Sequence, residues 1–410
     1  MAILTLSEFP SKNVSNIWKH PLIHSNQRMN IKNYCDKIKN GAISVNYMLK
    51  HPYGRLSLED PKSLSTTVMW SAIRATLFAD TEYDIDIINC HCNLLLAICQ
   101  EHTFECDNLN YYSNNRSDVI DNIHIDVLAI DTYNVERNNN KTKKDIVKNL
   151  FTIILYGGSV ETWAKTYNFK STDYILSDFV ALYIEEIDTL STFVIELKRY
   201  KLIKKQCYLS QKEKEIKKIT KRNLNKVDKR KKDEIFNTDT FKLNKFKCLA
   251  IILQNQERLV MIDAFGFLTT KNVTITAYIY DGFQVLKNTF DTDYINLLNT
   301  HINKIWKNIT FIIKPFEKKL DMSLMPEELP VLNANEFNLI ENYNYKKEYL
   351  EQFVCHIQNP PMLVVKEVTG DIITVQTDKK FLSAYNHFKY LIKTNSGTKS
   401  SSFIVDWLCD

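Results

Sequence analysis

Aspartate and isoleucine alternate from Glu82 to Ile87, which is the pattern of a β-strand with one acidic and one apolar face. Asp84 and Asp86 then lie on one face of the strand, and Ile85 lies on the other. A polar Asn-Cys-His-Cys segment follows, and the apolar run after it predicts a buried helix. Two carboxylates on one strand face repel each other unless a cation lies beside them. The pattern therefore indicates either a cation site at the end of the strand or an edge strand with a solvated acidic face.

A helix is predicted at residues 143–156, and the glycine pair at residues 157–158 ends or kinks it. Lys144, Lys148, Thr152 and Tyr156 are each four residues apart, so they share one face of this helix. Such a face suits an anionic, flat ligand such as a nucleoside triphosphate, with the lysines on the phosphates and the tyrosine against the base. The alternative is a solvated basic face, although lysines four residues apart repel each other mildly unless an anion is near.

A hairpin is predicted at residues 272–286, where two apolar strands flank an Asp-Gly turn. The turn puts the carboxylate of Asp281 at the tip of the hairpin, although aspartate is also an ordinary turn former. A long helix is expected just before it, at residues 244–268. Further strands are predicted at residues 123–130, 309–315 and 371–375, whereas residues 1–50 are expected to form short helices and loops.

The composition is that of a folded protein of 410 residues, 44% of them hydrophobic, with only 8 glycines and 9 prolines. The 9 cysteines are odd in number and irregularly spaced, which indicates free thiols in a reducing, intracellular compartment. The start of the chain lacks the pattern of a signal peptide. No apolar run approaches the roughly 20 residues that cross a bilayer, so we expect no membrane association.

Positive charge is concentrated between Lys198 and Lys232, although the net charge of the chain is only +5. Such a stretch would bind polyphosphate backbones without sequence preference, and it also fits a solvated arm or a nuclear localisation signal. Two arginines, Arg55 and Arg74, precede the acidic strand. They suit a nucleic-acid backbone or a phosphate, or they are ordinary surface arginines.

The order of these features resembles the polymerase core shared by family A DNA polymerases and single-subunit phage-type RNA polymerases. The compact transposon and viral members of that superfamily are the most similar. The segment Gly54-Arg55-Leu56-Ser57 is similar to the Gly-Arg-Leu-Ser segment before the palm, and Asp86 and Asp281 stand where the family has its two metal-binding aspartates. The fingers-helix pattern Arg-x3-Lys-x7-Tyr-Gly is matched, with lysine in place of the arginine, by Lys144, Lys148, Tyr156 and Gly157.

The resemblance implies an α+β fold, a right-hand polymerase with an antiparallel palm sheet, mostly helical fingers and a reduced N-terminal thumb region. The implied domains are an N-terminal helical segment (1–50, reduced thumb or palm lead-in), the first half of the palm (51–130), fingers with a basic helical arm (131–243), the second half of the palm (244–315) and a C-terminal extension (316–410).

The resemblance also implies a two-metal mechanism in which Asp86 and Asp281 hold two Mg²⁺ ions. Lys148 would then neutralise phosphate charge and protonate the leaving group, assisted by Lys144. The nucleotide-binding residues implied are Lys144, Lys148, Tyr156, Gly157 and His91. The implied nucleic-acid-binding residues are Arg55, Arg74, Gln254 and Tyr280.

Two departures from the family pattern bear on the sugar of the nucleotide. His91 stands where DNA polymerases of the family carry a glutamate that screens the sugar, and Thr152 replaces a bulky aromatic residue. The choice between deoxy- and ribonucleotides therefore stays open. Asp84 is expected to be a neighbour of the first metal ligand or an alternative ligand.

The function implied is that of a DNA-dependent DNA polymerase in viral or mobile-element replication, acting on a DNA primer-template with nucleoside triphosphates and without a proofreading domain. A viral protein of this kind would work in the host cytoplasm or nucleus. The segment Phe403–Leu408 resembles the connector that precedes superfamily-three helicase modules, which implies a helicase partner on a neighbouring chain. The alternatives are an RNA polymerase or primase of the same fold, a non-catalytic nucleic-acid-binding protein, and a zinc site formed by Cys92, Cys99, His102 and Cys106.

Overall fold

The computed structural model describes residues 3–11, 16–23, 25–60, 65–137, 141–221, 241–325, 364–369 and 372–376. The chain divides into two compact units. The larger unit comprises Met1–Ile17 and Asn30–Asp321, and the smaller unit comprises Trp18–Met29 and Met322–Asp410. All the site residues expected from the sequence belong to the larger unit.

Helices and antiparallel strands are mixed along the chain, which makes it an α+β protein. The strands are β1 (Ile3–Glu8), β2 (Ile43–Met48), β3 (Ser57–Leu58), β4 (Glu82–Ile87), β5 (His124–Ile125), β6 (Tyr174–Ile175), β7 (Ile275–Ile279), β8 (Gly282–Leu286), β9 (Phe311–Lys314), β10 (Val364–Thr369) and β11 (Ile372–Gln376). The helices are α1 (Ser25–Asp36), α2 (Ser71–Phe78), α3 (Cys90–Glu101), α4 (Asp107–Asn114), α5 (Arg116–Asp121), α6 (Val127–Arg137), α7 (Lys143–Leu155), α8 (Val160–Thr166), α9 (Asp178–Glu196), α10 (Lys201–Lys221), α11 (Lys245–Thr270) and α12 (Tyr294–Ile302).

A four-stranded antiparallel sheet carries both predicted aspartates, in the strand order β7-β8-β4-β9. The predicted acidic strand is confirmed as β4, and the predicted hairpin is confirmed as β7 and β8. Ile85 and Ile87 are buried against the helices, as the alternation requires. Asp86 lies opposite Gly282 on β8 and opposite Ile312 on β9. The sheet therefore has an apolar face in the core and a face on which the aspartates lie.

The N-terminal region differs from its expected helical character. Strands β1 and β2 pair along their whole length, from Ile3 opposite Met48 to Glu8 opposite Ile43, and one helix lies between them in the chain. The reason is visible in β2, where buried and exposed residues alternate at the strand period of two. The expectation of short helices and loops at residues 1–50 is therefore wrong for these two strands, and it holds only for α1 and a short 3₁₀ turn.

The helical core is built mainly from α3, α9 and α11, which pack against one another. Its largest fully buried side chains include Trp163, Phe151 and Tyr183. The predicted helices at residues 143–156 and 244–268 are confirmed as α7 and α11, and the strand expected at residues 309–315 is confirmed as β9. The strand expected at residues 123–130 is wrong except for the two residues of β5, because α6 begins at Val127.

In the smaller unit, β10 and β11 form an antiparallel hairpin with a bulge between Val365 and Glu367, and β11 confirms the predicted strand there. Much of the expected C-terminal extension, including the connector-like segment 403–408, lies outside the described residues, as do residues 222–232 of the basic stretch. Within the described part of the chain, no helix combines the length and the apolar character needed to cross a membrane. The division into palm, fingers and thumb stays a prediction.

Candidate nucleotidyl-transfer site

Asp86 and Asp281 come together at the same end of two neighbouring strands. Asp86 is the penultimate residue of β4, and Asp281 lies in the tight turn between β7 and β8. The N–H of Ile87 donates to the carbonyl oxygen of Asp281 at 3.1 Å, which ties the turn to the end of β4. Burial, with the nearby charges of Asp86 and Glu257, raises the pKa of Asp281 to about 7. The pair is thus a partly buried, mutually repelling set of carboxylates.

Gly282 allows β8 to pack closely against β4 beside these carboxylates. A Cβ at this position would lie 2.5 Å from the backbone oxygen of Ile85 and 3.1 Å from Oδ1 of Asp86. Real Cβ atoms do not approach a backbone oxygen so closely, so glycine lets β8 pair tightly with β4 at this point. Carboxylate oxygens are the ligands that hard cations such as Mg²⁺ prefer. The repulsion between Asp86 and Asp281 fits a divalent cation held by both.

Lys314, on β9, is the ion-pair partner of Asp86. Its Nζ lies 2.9 Å from Oδ2 of Asp86, and the two side chains are 52% and 26% exposed. Asp84, two residues earlier on β4, is buried and directly opposite Lys314 in register. Burial raises the pKa of Asp84 to about 6, although the positive charges of Arg74 and Lys314 act in the opposite direction. The acidic face of β4 is therefore mostly buried, which excludes the solvated edge strand that its sequence also allowed.

A basic cavity of about 350 Å³ opens next to the end of β4. Three cationic side chains line it, namely Arg116, Lys144 and Lys148, together with polar groups and the two residues that follow β4. Burial and the charges of Arg116 and Lys144 lower the pKa of Lys148. Cations that repel each other in this way would be stabilised by an anion between them. The cavity is thus suited to a polyanionic ligand.

Local sequence explains how α7 presents the lysines to this cavity. Thr142 and Asp145 form a capping box, in which each side chain accepts a hydrogen bond from the other residue's backbone N–H. The apolar residues on the opposite side of the helix are buried, while Lys144 is exposed and Lys148 is half-buried. The helix ends at Leu155, and Gly157, two residues later, has a φ of +77°, the left-handed conformation that glycine adopts most readily. The structure confirms that the two lysines share one face of α7 and that the helix ends just before the glycine pair.

Four side chains form a connected network beside the aspartates. Glu257, on α11, is fully buried and accepts two hydrogen bonds from Arg55, Nε to Oε1 at 2.7 Å and a guanidinium NH₂ to Oε2 at 2.6 Å. His91 Nε2 lies 2.7 Å from Oε2 of Glu257. The hydroxyl of Tyr156 makes a short hydrogen bond with His91 Nδ1. Residues from α3, α7, α11 and the segment before β3 are thereby locked together.

This network also orients Tyr280, the residue before Asp281. Tyr280 has a φ of +53°, and its ring centroid lies 5.0 Å from the guanidinium carbon of Arg55. Gln254 lies on α11 near Gly54, because a Cβ on that glycine would be 3.8 Å from Oε1 of Gln254. Arg55, Tyr280 and Gln254 thus belong to one neighbourhood. Arg74 lies apart from them on α2, where its charge acts on Asp84.

The zinc site suggested by the cysteine spacing is not formed. Cys92 contacts the hydroxyl of Tyr183 at 3.9 Å, and His102 packs against Phe193 with its ring centroid at 6.0 Å. In the described ranges, the ligand atoms of Cys92, Cys99, His102 and Cys106 do not gather within metal-binding distance.

Another potential metal group does occur there, formed by Cys90, His91 and Glu257, whose ligand atoms lie within 4.8 Å of one another. Both oxygens of Glu257 already accept hydrogen bonds from Arg55. A metal would have to displace that guanidinium, so the group is better described as part of the network.

Three residues of the site were not identified from the sequence. Arg116 follows two asparagines at the start of α5, and its guanidinium hydrogen-bonds Asn89, which also lines the cavity. Glu257 lies in a polar stretch of α11, where nothing in the sequence marks it as buried, and its partner Arg55 lies 202 residues away. Lys314 is the last residue of β9, and the sequence does not show that this strand pairs with β4. The roles of all the site residues remain predictions.

No family model matches this chain, and no curated protein matches it either. Among solved structures, the chain is similar to the POL domain of Pol1 from M. smegmatis in complex with a DNA primer-template and dNTP, with 9% sequence identity and a TM-score of 0.37. The similarity covers 70% of this chain and 51% of that chain, so this protein spans about half the length of the structure it matches. A likeness of this degree establishes neither a family nor a function for the chain.

Proposed function

We propose that this protein catalyses template-directed nucleotidyl transfer, and that it is a DNA-dependent DNA polymerase. The observation that carries the proposal is a pair of partly buried carboxylates, Asp86 and Asp281, next to a cavity lined by Arg116, Lys144 and Lys148. A carboxylate pair for metal ions and a cationic cavity for phosphates are the two parts that a phosphoryl-transfer site needs.

Asp86 and Asp281 would hold two Mg²⁺ ions, which, when bound, activate the primer 3′-hydroxyl and stabilise the pyrophosphate leaving group. The raised pKa of Asp281, about 7, follows from burial and the charges of Asp86 and Glu257. A cation beside the pair would favour the ionised form of both carboxylates.

Arg116, Lys144 and Lys148 would bind the triphosphate. The lowered pKa of Lys148 brings its ammonium group closer to the range in which a side chain acts as a general acid at neutral pH. Lys148 is therefore the candidate donor of a proton to the departing pyrophosphate. Arg116 and Lys144 would hold the phosphates in place by charge and hydrogen bonding.

The primer-template would be bound by Arg55, Tyr280, Gln254 and Arg74, and the nucleotide would lie against Tyr156 and Gly157. His91 is held between Tyr156 and Glu257, so its imidazole has a fixed position at the edge of the nucleotide site. We propose deoxynucleotides as the substrates and assign His91 to the sugar.

Extension of a labelled primer on a DNA template tests the proposal, with Mg²⁺ and either the four deoxynucleotides or the four ribonucleotides. The wild-type protein should extend the primer with deoxynucleotides. Asp86→Asn and Asp281→Asn should abolish extension and leave template binding, measured by fluorescence anisotropy, nearly unchanged. Asp80→Asn is the matched control, because Asp80 is an exposed aspartate before the same strand and pairs with Lys319.

Three outcomes would change this assignment. Extension by Asp281→Asn at the wild-type rate would rule out the two-aspartate site. Extension with ribonucleotides alone would assign the site to RNA synthesis. Tight DNA binding with no extension by the wild-type protein would indicate a non-catalytic nucleic-acid-binding protein.

A further inference from the structure

The ammonium group of Lys314 forms an ion pair with Asp86, one of the two carboxylates of the proposed metal site. It lies 2.9 Å from Oδ2 of Asp86 and remains half-exposed. Its backbone, however, is not opposite Asp86. In the register of the sheet Lys314 faces Asp84, while Asp86 faces Ile312. The side chain therefore extends diagonally along the sheet to reach Asp86.

Asp84 is a second carboxylate within reach of the same lysine. It lies on the same face of β4 as Asp86 and is only 8% exposed. In the part of the chain that the structure describes, its carboxylate has no direct hydrogen bond or ion pair, although the charges of Arg74 and Lys314 act on it. Directly opposite residues on paired strands have their Cβ atoms about 5 Å apart. A change of side-chain rotamer would thus bring Lys314 to Asp84 without movement of the backbone.

We propose that Lys314 is a positioning residue that neutralises Asp86 before a metal ion binds and transfers to Asp84 when the ion arrives. This inference rests on the proposed function, in which Asp86 is a metal ligand. Lys314 then competes with the cation for Asp86 and lowers the affinity of the site for free divalent ions. Asp84 favours metal binding because it receives the displaced ammonium group, and it does so without touching the ion.

Binding of Mn²⁺ to the full chain, in the absence of nucleotide and DNA, tests this inference. The electron paramagnetic resonance signal of the free ion measures how much Mn²⁺ is bound. Lys314→Met should tighten binding by about 3- to 10-fold, because it removes both a competitor and a nearby positive charge. Lys314→Arg keeps the ion pair and should bind Mn²⁺ as the wild type does. Lys318→Met, an exposed lysine just beyond β9, is the matched control and should change nothing.

A double substitution separates the transfer to Asp84 from direct metal binding by Asp84. Asp84→Asn should weaken Mn²⁺ binding by about 2- to 5-fold when Lys314 is present, because the lysine then stays on Asp86. In the Lys314→Met background the same change should have almost no effect. An equal loss in both backgrounds would show that Asp84 acts on the ion itself and would overturn the proposed transfer.

The failure of this inference can be told apart from the failure of the proposed function. Asp86→Asn and Asp281→Asn should each remove Mn²⁺ binding if the carboxylate pair is the metal site. If both variants bind Mn²⁺ like the wild type, the metal site is wrong and the role of Lys314 fails with it. If they lose Mn²⁺ while Lys314→Met binds no more tightly than the wild type, the role of Lys314 alone is overturned. Lys314→Arg, which keeps the ion pair, shows whether a loss of Mn²⁺ binding in Lys314→Met comes from misfolding.

Discussion

The buried carboxylate of Glu257 offers the sharpest test of what holds the site together. Glu257 is fully buried, whereas the side chain of its partner Arg55 is 28% exposed. Burial by itself lowers the pKa of Arg55, but its hydrogen bonds with Glu257 and the charge of that carboxylate outweigh this effect and raise it. The substitutions to compare are Arg55→Met, Glu257→Gln and the two together.

The expected magnitudes follow from the contacts that each variant removes from a charged group. Arg55→Met removes two charge-assisted hydrogen bonds and leaves a buried carboxylate whose remaining partner is His91, which should cost about 3–5 kcal/mol of unfolding free energy. Glu257→Gln leaves a guanidinium that is still partly hydrated, so a smaller loss of about 2–3 kcal/mol is expected. The double variant leaves neither charge unpaired, and its loss should be about 2 kcal/mol smaller than the sum of the single losses.

Urea denaturation followed by circular dichroism measures these free energies, and a surface pair provides the control. Nη1 of Arg199 donates to both oxygens of Glu101 at 2.7 and 2.6 Å, which are distances like those of the Arg55–Glu257 pair, but the two side chains are 36% and 57% exposed. Arg199→Met should therefore cost less than about 1 kcal/mol. Losses for Arg55 and Glu257 that add to within about 0.5 kcal/mol would refute the reasoning, since additivity means that the two residues do not interact.

Three other predictions concern individual positions. Burial raises the pKa of Glu8 from 4.5 to about 7, so the folded state holds this proton more tightly than the unfolded state, and stability should fall as the pH rises across that interval. Glu8→Gln should reduce this fall in unfolding free energy between pH 5 and pH 8 by up to about 3 kcal/mol, measured by urea denaturation. Parallel pH profiles of the wild type and the variant would contradict the prediction. Gly157→Ala should lower the free energy of unfolding by more than about 1 kcal/mol, because φ is +77° and the new Cβ would lie 2.3 Å from the ring of Phe246. The control is Gly266→Ala in α11, whose new Cβ would meet nothing within 4 Å, and it should be neutral or stabilising in thermal unfolding. Gly282→Ala should cost about 1–3 kcal/mol and weaken Mn²⁺ binding, because its Cβ would lie 2.5 Å from a backbone oxygen of β4; unchanged Mn²⁺ affinity would count against the tight pairing at this point.

The sheet that carries the aspartates could be predicted because its signals are local. Alternation defines β4, and the Asp-Gly turn defines the hairpin of β7 and β8. The lysine face of α7 follows from a spacing of four residues and a glycine stop. Each of these patterns depends on residues that are close in the sequence, so the physics that produces the element can be read there.

The parts that could not be predicted depend on contacts between distant segments. The strand β1 is recognisable only with its partner β2, about 40 residues later. Residues 127–130 are apolar, which favours a strand in the sequence, and yet they begin α6, in which Val127 and Leu128 are exposed and Ile130 is buried. Lys314 and Asp86 are 228 residues apart, and a strand register is needed before the two can be paired. Side-chain partners of this kind are a property of the assembled sheet.

The charges around the proposed site form two groups that are each incomplete without a ligand. Asp86 and Asp281 repel each other, and this repulsion adds to the effect of burial in raising the pKa of Asp281. Arg116, Lys144 and Lys148 repel each other in turn, and the lowered pKa of Lys148 follows partly from the other two. The two groups are neighbours, because the cavity begins at the residue that follows β4. A metal ion alone satisfies the first group and a polyphosphate alone satisfies the second, but only a metal-bound polyphosphate satisfies both in one binding event. The arrangement therefore favours joint binding of the two over separate binding of either one.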